Sequence, residues 1–191
     1  NENINNLLSY EQNENLTIID NRVLNAAPVI VKTPEDIFQL IQQGQKRVLI
    51  DSTNLNHRSS RSHTILTLSY RQYHLDGSQS QAKLNLVDLA GSERLGRHGE
   101  SKSKLIDETK KINQSLTSLG RVILALSCNE SHIPFRDSKL THLLKESLGG
   151  NSKTAFICTV SRKQEFQDES IMTLKFAQRV KNIKNRSFKN F

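Results

Sequence analysis

The chain has 191 residues, 35% of them hydrophobic and 24% charged, with a formal net charge of +8; this length can build one sizeable core or form part of a larger one. Apolar stretches are short, Val122 to Leu126 being among the longest, which excludes a transmembrane helix. Nucleic acid is the default partner of a basic chain, but 5% aromatics and no Trp leave little for base stacking and disfavour it. The polar opening Asn1-Glu-Asn-Ile-Asn-Asn6 carries no signal peptide and no initiator Met, so the chain is expected to start inside a longer protein. Leu7-Leu8 and Leu16-Thr-Ile-Ile19 read as short strand pieces, and Val23 to Val31 as another extended piece with Pro28 at an edge or turn. Thr33-Pro-Glu-Asp36 is a helix start, with Thr as the N-cap, Pro in first position and acids in the first turn. Ile37, Phe38, Leu40 and Ile41 are expected to be its buried face, Gly44 its end, and Arg47-Val-Leu-Ile50 a separate apolar run.

Ser62 to Tyr73 alternates as a strand should, with Thr64, Leu66 and Leu68 on one side and Ile65 and Thr67 on the other. His74-Leu-Asp-Gly-Ser78 is its turn, and the strand beginning at Lys83 pairs back as a hairpin. Leu84, Leu86, Val87 and Leu89 predict burial for that second strand. It ends in Asp88-Leu-Ala-Gly91, a carboxylate followed by a glycine whose backbone can approach a ligand closely. Such an arrangement lets the Asp hold a Mg²⁺ water while the Gly amide reads a terminal phosphate. Taken alone, Asp-x-x-Gly fits any strand that runs into a turn.

Arg94 to Lys104 is a glycine- and charge-rich loop, too polar to pack. Ile112, Leu116, Leu119, Ile123 and Leu126 then recur at helical spacing, and His132-Ile-Pro-Phe-Arg136 forms a loop. Asp137 is expected to cap a helix carrying Leu140, Leu143, Leu144 and Leu148 that Gly149-Gly150 closes. Thr154 to Val160 reads as a buried strand, and Asp168-Glu169 open a last helix through Ile171, Leu174, Ala177 and Val180. Strands interleaved with helices predict an α/β layer fold. Cys128 and Cys158 lack metal-ligand spacing and read as buried thiols of an intracellular, reducing compartment.

The charge is uneven. Residues 1–40 hold two basic side chains against six acidic, Arg94 to Lys145 ten against five, and Arg162 to Lys189 eight against three. The excess of cations in the second half suggests an acidic macromolecular partner, unless it only keeps the surface solvated.

Six motifs occur in order: Asn56-x-x-Ser59-Ser60-Arg61-Ser62-His63, Asp88-Leu-Ala-Gly-Ser-Glu93, Ile112-Asn-Gln-Ser-Leu116, His132-Ile-Pro-Phe-Arg-Asp-Ser-Lys-Leu-Thr141, Ser147-Leu-Gly-Gly-Asn-Ser-Lys-Thr154 and Thr173-Leu-Lys-Phe-Ala177. Together they resemble the kinesin motor domain, from about Asn1 to Asn185. The resemblance implies a P-loop-NTPase-like α/β fold, with a mixed central sheet flanked by helices, whose N-terminal part is missing here. It implies ATP hydrolysis coupled to movement along microtubules, with ATP and Mg²⁺ as cofactors, and a place in the cytoplasm on the cytoskeleton. Residues 1–185 would be a partial motor domain, and 186–191 the start of a neck linker or tail.

By the same resemblance, Ser59 and Ser60 lie near Mg²⁺ and the γ-phosphate, and Asp88 and Gly91 hold a Mg²⁺ water and the γ-phosphate. Ser60 and Asp88 would thus be the metal residues, the latter through water. Arg61 and Glu93 form a pair that closes when the phosphate is present, aligning water and passing its proton; the bland alternative is a surface salt bridge worth at most about 1 kcal/mol. Asn113 falls at a family position on the helix that reports nucleotide state to the filament. Arg94 and Arg97 in the loop, with Arg136, Lys139, His142 and Lys145 beyond it, would face acidic tubulin, where cations give salt-dependent affinity. Lys102 and Lys104 could add to that loop. His142 stands where many relatives carry Arg, which predicts a weaker, pH-sensitive contact. Leu105-Ile-Asp-Glu-Thr109 departs from the usual Arg-Leu-Lys-Glu.

No Gly-x-x-x-x-Gly-Lys-Ser/Thr occurs in the sequence. That loop cradles the phosphates and supplies a lysine and a Mg²⁺ ligand. Its absence predicts an exposed sheet edge, an incomplete pocket and little or no ATP turnover by these residues alone. The alternative to a motor is a non-catalytic microtubule-binding module, a pseudo-motor. A homodimer through a stalk beyond these residues is left open.

Overall fold

The computed structural model describes residues 3–9, 16–26, 28–53, 62–91, 103–185 and 187, with the backbone alone for 49–53 and 103–113. A small antiparallel hairpin comes first, β1 (Thr17–Ile19) paired with β2 (Arg22–Leu24). Its turn residues Asp20 and Asn21 adopt φ of 46° and 61°, the left-handed region that Asn and Asp tolerate best after glycine. Leu7-Leu8 forms a turn rather than a strand, and 28–32 runs on without a ladder.

Helix α1 (Pro34–Thr53) opens as its sequence predicts. Thr33 Oγ1 accepts from Asp36 N at 3.2 Å, and Asp36 Oδ2 accepts from Thr33 N and Lys32 N, both at 2.9 Å. This reciprocal box satisfies three otherwise orphaned backbone donors. Gly44 does not end the helix, and Arg47-Val-Leu-Ile50 continues it. The buried Gly44 lies close to Leu7, with space for a Cβ to meet the Leu7 Cβ at 3.7 Å, and Arg47 donates to the Ser9 carbonyl. Packing by the preceding segment thus outweighs a glycine cost of about 1 kcal/mol. Phe38, expected on the buried face, is exposed.

The second hairpin is longer. β3 (Thr64–Tyr73) and β4 (Gln79–Asp88) pair antiparallel through ten rungs, from Thr64↔Asp88 to Tyr73↔Gln79. Its turn is closed by His74 N donating to Ser78 O at 2.9 Å, with Asp76 Oδ1 accepting from Ser78 N and Oγ, and with Gly77 at φ 81°. The expected burial of β4 is not found: Leu84 and Leu86 are 52% and 50% exposed, and Val87 is exposed too. Among the described residues each sheet has two strands.

Helix α2 (Ser103–Ser127) begins nine residues before Ile112, within the stretch read as loop. After it come a 3-10 turn at Phe135–Asp137, α3 (Lys139–Leu143), α4 (Lys145–Gly149), a second 3-10 turn at Gln164–Phe166 and α5 (Gln167–Lys181). The predicted third helix is broken at Leu144, which leaves helical ψ (φ −87°, ψ 3°). Asp137 does not cap it. Ser138 does, accepting from Thr141 N at 3.0 Å, because Ser138 is the residue with extended backbone.

Leu119, Val122 and Ile123 of α2 pack with Leu140 of α3, Leu148 of α4 and Leu144 between the two to make the core. Phe176 and Val180 of α5 lie against it, with Phe156 and Phe176 rings 5.7 Å apart. Residues 154–160, expected as a buried strand, are extended but unpaired among the described residues, and Ile157 is 89% exposed. Likewise Ile171 and Leu174 of α5 face outward. Cys128 is exposed rather than buried, Cys158 is half-buried, and both are free thiols. No described helix is long and apolar enough to cross a membrane.

Candidate functional site

The site is built around the end of β4. Asp88 closes the ladder opposite Thr64 and is exposed, Leu89 turns inward against the core, Ala90 is buried, and Gly91 is half-buried. A strand thus delivers a solvent-facing carboxylate and, three residues on, a glycine whose lack of Cβ leaves its amide open to a ligand.

One residue before β3, the His63 ring bridges this turn to α2. Ala90 N donates to Nδ1 at 3.0 Å, and Nε2 lies 2.7 Å from Ser115 Oγ. Ser115 is buried on α2, and burial pushes the His63 pKa below its ordinary value. His63 is the last residue of its sequence motif, which by itself points to no role for the ring. Its place just before an alternating strand, with the Asp88 turn opposite, was the available signal.

Asn113 lies on α2 two residues before Ser115, and its side chain lies outside the described set. Ser59, Ser60, Arg61, Glu93, Arg94 and Arg97 lie outside the described residues altogether, as does Lys102, and Lys104 is described by its backbone alone. Of the predicted nucleotide-site residues, the structure therefore describes Asp88 and Gly91 fully and brings them to one turn.

Four predicted filament-facing residues are described in full. Arg136 sits exposed in the 3-10 turn, Lys139 and His142 are half-buried on α3, and Lys145 is exposed at the start of α4. They recur every three residues, so the near-helical turn at Leu144 keeps Lys145 in sequence with the other three. Buried groups hold this segment from beneath: Thr141 Oγ1 donates to Phe135 O at 2.8 Å, and Ser138 Oγ and Thr141 Oγ1 are 2.9 Å apart. Arg121 and Asp137 come to 4.0 Å, an exposed pair of little energetic weight.

Among the described residues no three His, Cys, Asp or Glu side chains gather as a metal site. A lone exposed carboxylate still suits Mg²⁺, which keeps most of its waters and takes one or two protein carboxylates beside the substrate phosphates. A shallow depression on α1, lined by Gln39, Gln42, Gln43, Lys46 and Arg47, includes no residue of the Asp88 turn.

The Kinesin motor domain family matches the chain over residues 1–183. The chain is 47% identical over 190 residues to Kinesin-related protein 5 of Dictyostelium discoideum, covering 96% of this chain and 19% of that protein. It is 50% identical over 149 residues to Kinesin-like protein CIN8 of Saccharomyces cerevisiae, covering 78% of this chain and 15% of the other. Among solved structures it is similar to a fast kinesin described for its ATPase mechanism and interactions with microtubules. There the TM-score is 0.85 at 40% identity, over 96% of this chain and 53% of that one. The chain thus spans about a fifth of the length of the curated relatives it matches.

Proposed function

The chain belongs to the kinesin motor-domain family and has its fold, and from that premise we propose that it is the switch- and track-binding portion of a microtubule motor driven by ATP hydrolysis. The observation that carries this reading is the Asp88–Gly91 turn, set at the exposed end of β4 and hydrogen-bonded through His63 to the helix that leads to Arg136–Lys145. A nucleotide-sensing turn and a cationic filament face on one rigid connection is what a motor needs; a module that only held tubulin would not need the turn.

In this proposal, where a phosphate-cradling loop completes the pocket, Asp88 would hold a water of the metal and the Gly91 amide would donate to the terminal phosphate. Ser59 and Ser60 would contribute hydroxyls, Ser60 to the metal, and Asn113 lies in the reporting helix α2, ten residues after its first residue rather than at its start. Arg61 and Glu93 close on each other when phosphate is present and align the attacking water. Mg²⁺, when bound, neutralises charge that develops on the phosphates. Arg94, Arg97, Arg136, Lys139, His142 and Lys145 meet acidic tubulin. Residues 1–185 form the partial motor domain and 186–191 begin the neck linker. The protein acts in the cytoplasm, on the cytoskeleton.

A second reading is a non-catalytic microtubule-binding module. Both readings predict little ATP turnover from these residues alone, and both require tubulin binding. Co-pelleting with microtubules tests that shared requirement. Arg136→Ala, Lys139→Ala and Lys145→Ala combined should weaken pelleting about tenfold, three surface contacts of about 0.5 kcal/mol each. Pelleting unmoved by the triple substitution at physiological salt refutes the assigned face.

A further inference from the structure

His63 lies just before β3 and bonds to the Asp88–Gly91 turn and to α2, yet no chemical role has been given to its ring. Nδ1 accepts the Ala90 N–H at 3.0 Å, so that nitrogen carries no proton. In the neutral ring the proton is then on Nε2, which donates to Ser115 Oγ at 2.7 Å. Ser115 is 2% exposed and Ala90 is buried, so neither bond has water as an easy substitute. The β3–β4 ladder ends at Thr64↔Asp88, and His63 supplies the first tie beyond that last rung.

We propose that His63 is a positioning residue that couples the Asp88–Gly91 turn to α2 through a single imidazole tautomer. The two bonds depend on each other. Remove the Ser115 hydroxyl and the Nε2–H form loses its acceptor. The Nδ1–H form then competes, and it places a hydrogen where Ala90 N–H must donate. A disturbance on α2 therefore reaches the turn, and by linkage a displaced turn reaches α2 with the same free energy. The inference rests on the reading of this turn as the nucleotide sensor, and it gives that sensor a named connection to the helix.

The test uses the whole 191-residue chain without nucleotide or filament. Histidine ¹⁵N spectra should show His63 with a pyridine-type Nδ1 and a pyrrole-type Nε2. Ser115→Ala should speed amide exchange at Ala90 about fivefold, the ratio that corresponds to one neutral hydrogen bond. Asparagine can place its Oδ1 near the site of Nδ1, so His63→Asn should keep Ala90 protected, and adding Ser115→Ala to it should change nothing further. His63→Ala should lose the protection that His63→Asn retains. Unchanged exchange at Leu119 and Val122 verifies the fold, and Ser115→Ala carries the test if His63→Ala does not fold. A protonated Nδ1, or Ala90 exchange indifferent to Ser115→Ala, overturns the proposal. Failure of microtubule pelleting would instead strike the motor reading and leave these readouts intact.

Discussion

The helical half and the β3–β4 hairpin carry similar apolar patterns and meet opposite fates. Leu119 on α2 is 2% exposed, because α3, α4 and α5 close over it. Leu86 on β4 remains 50% exposed, and Ile157 on the unpaired extended segment 89%. A helix satisfies its own backbone and needs one covering face, whereas a central strand needs partners on both edges and layers on both sides. The cations proposed to face the filament therefore stand on a buried helical core, while the turn proposed to face the nucleotide stands on a sheet of two strands among the described residues.

The largest expected effect breaks the comparison at its core. Leu119→Ala should cost about 2–5 kcal/mol by urea denaturation, whereas Leu86→Ala should cost well under about 1 kcal/mol. Equal losses would mean that the hairpin is buried as deeply as the helices. Next, Thr141→Val keeps the shape but leaves Phe135 O and Ser138 without the Thr141 hydroxyl. A destabilisation of about 1–3 kcal/mol is expected, together with weaker microtubule pelleting as the Arg136 turn loosens. A variant as stable as the parent would show that this buried network does not hold the filament face.

The smallest effect is local and depends on pH. Backbone donors from Lys32 and then Thr33 hold the exposed Asp36 carboxyl below the usual carboxylate range. With the folded value depressed, the stabilisation is present above the ordinary carboxylate pKa and is lost as pH falls through the folded value. Amide signals of Lys32 and Thr33 should shift through that acid window, and Asp36→Asn should abolish the titration. Persistence of the shift in Asp36→Asn would assign it elsewhere.

Local signals in the sequence were reliable where a residue's partner lies nearby in the chain. The Thr33–Asp36 box, the His74–Ser78 turn and the helical spacing of Leu119 and Ile123 depend on neighbours within a few positions, and all are found. Gly44 misled because Leu7, far away in sequence, packs beside it. Asp137 misled because either of two adjacent residues can cap, and only Ser138 adopts extended backbone. Burial at Leu84, Leu86 and Ile157 was overstated because hydrophobicity records what a strand requires, not what surrounds it. The expected placement of Asp88 at a strand end with Gly91 in the turn after it is found, and the chain's membership of the kinesin family agrees with the resemblance the six motifs carry. The His63 bridge was not legible, since its two partners, Ala90 and Ser115, lie 27 and 52 residues away.

The most direct test of the account is microtubule pelleting of the chain in Mg-ADP and in a non-hydrolysable Mg-ATP analogue. The proposed filament face, joined to a proposed nucleotide turn in a sequence with no Gly-x-x-x-x-Gly-Lys-Ser/Thr, predicts binding of the same affinity in both. Binding that changes with the nucleotide would contradict it, for these residues would then read the phosphate without a Gly-x-x-x-x-Gly-Lys-Ser/Thr loop to cradle it.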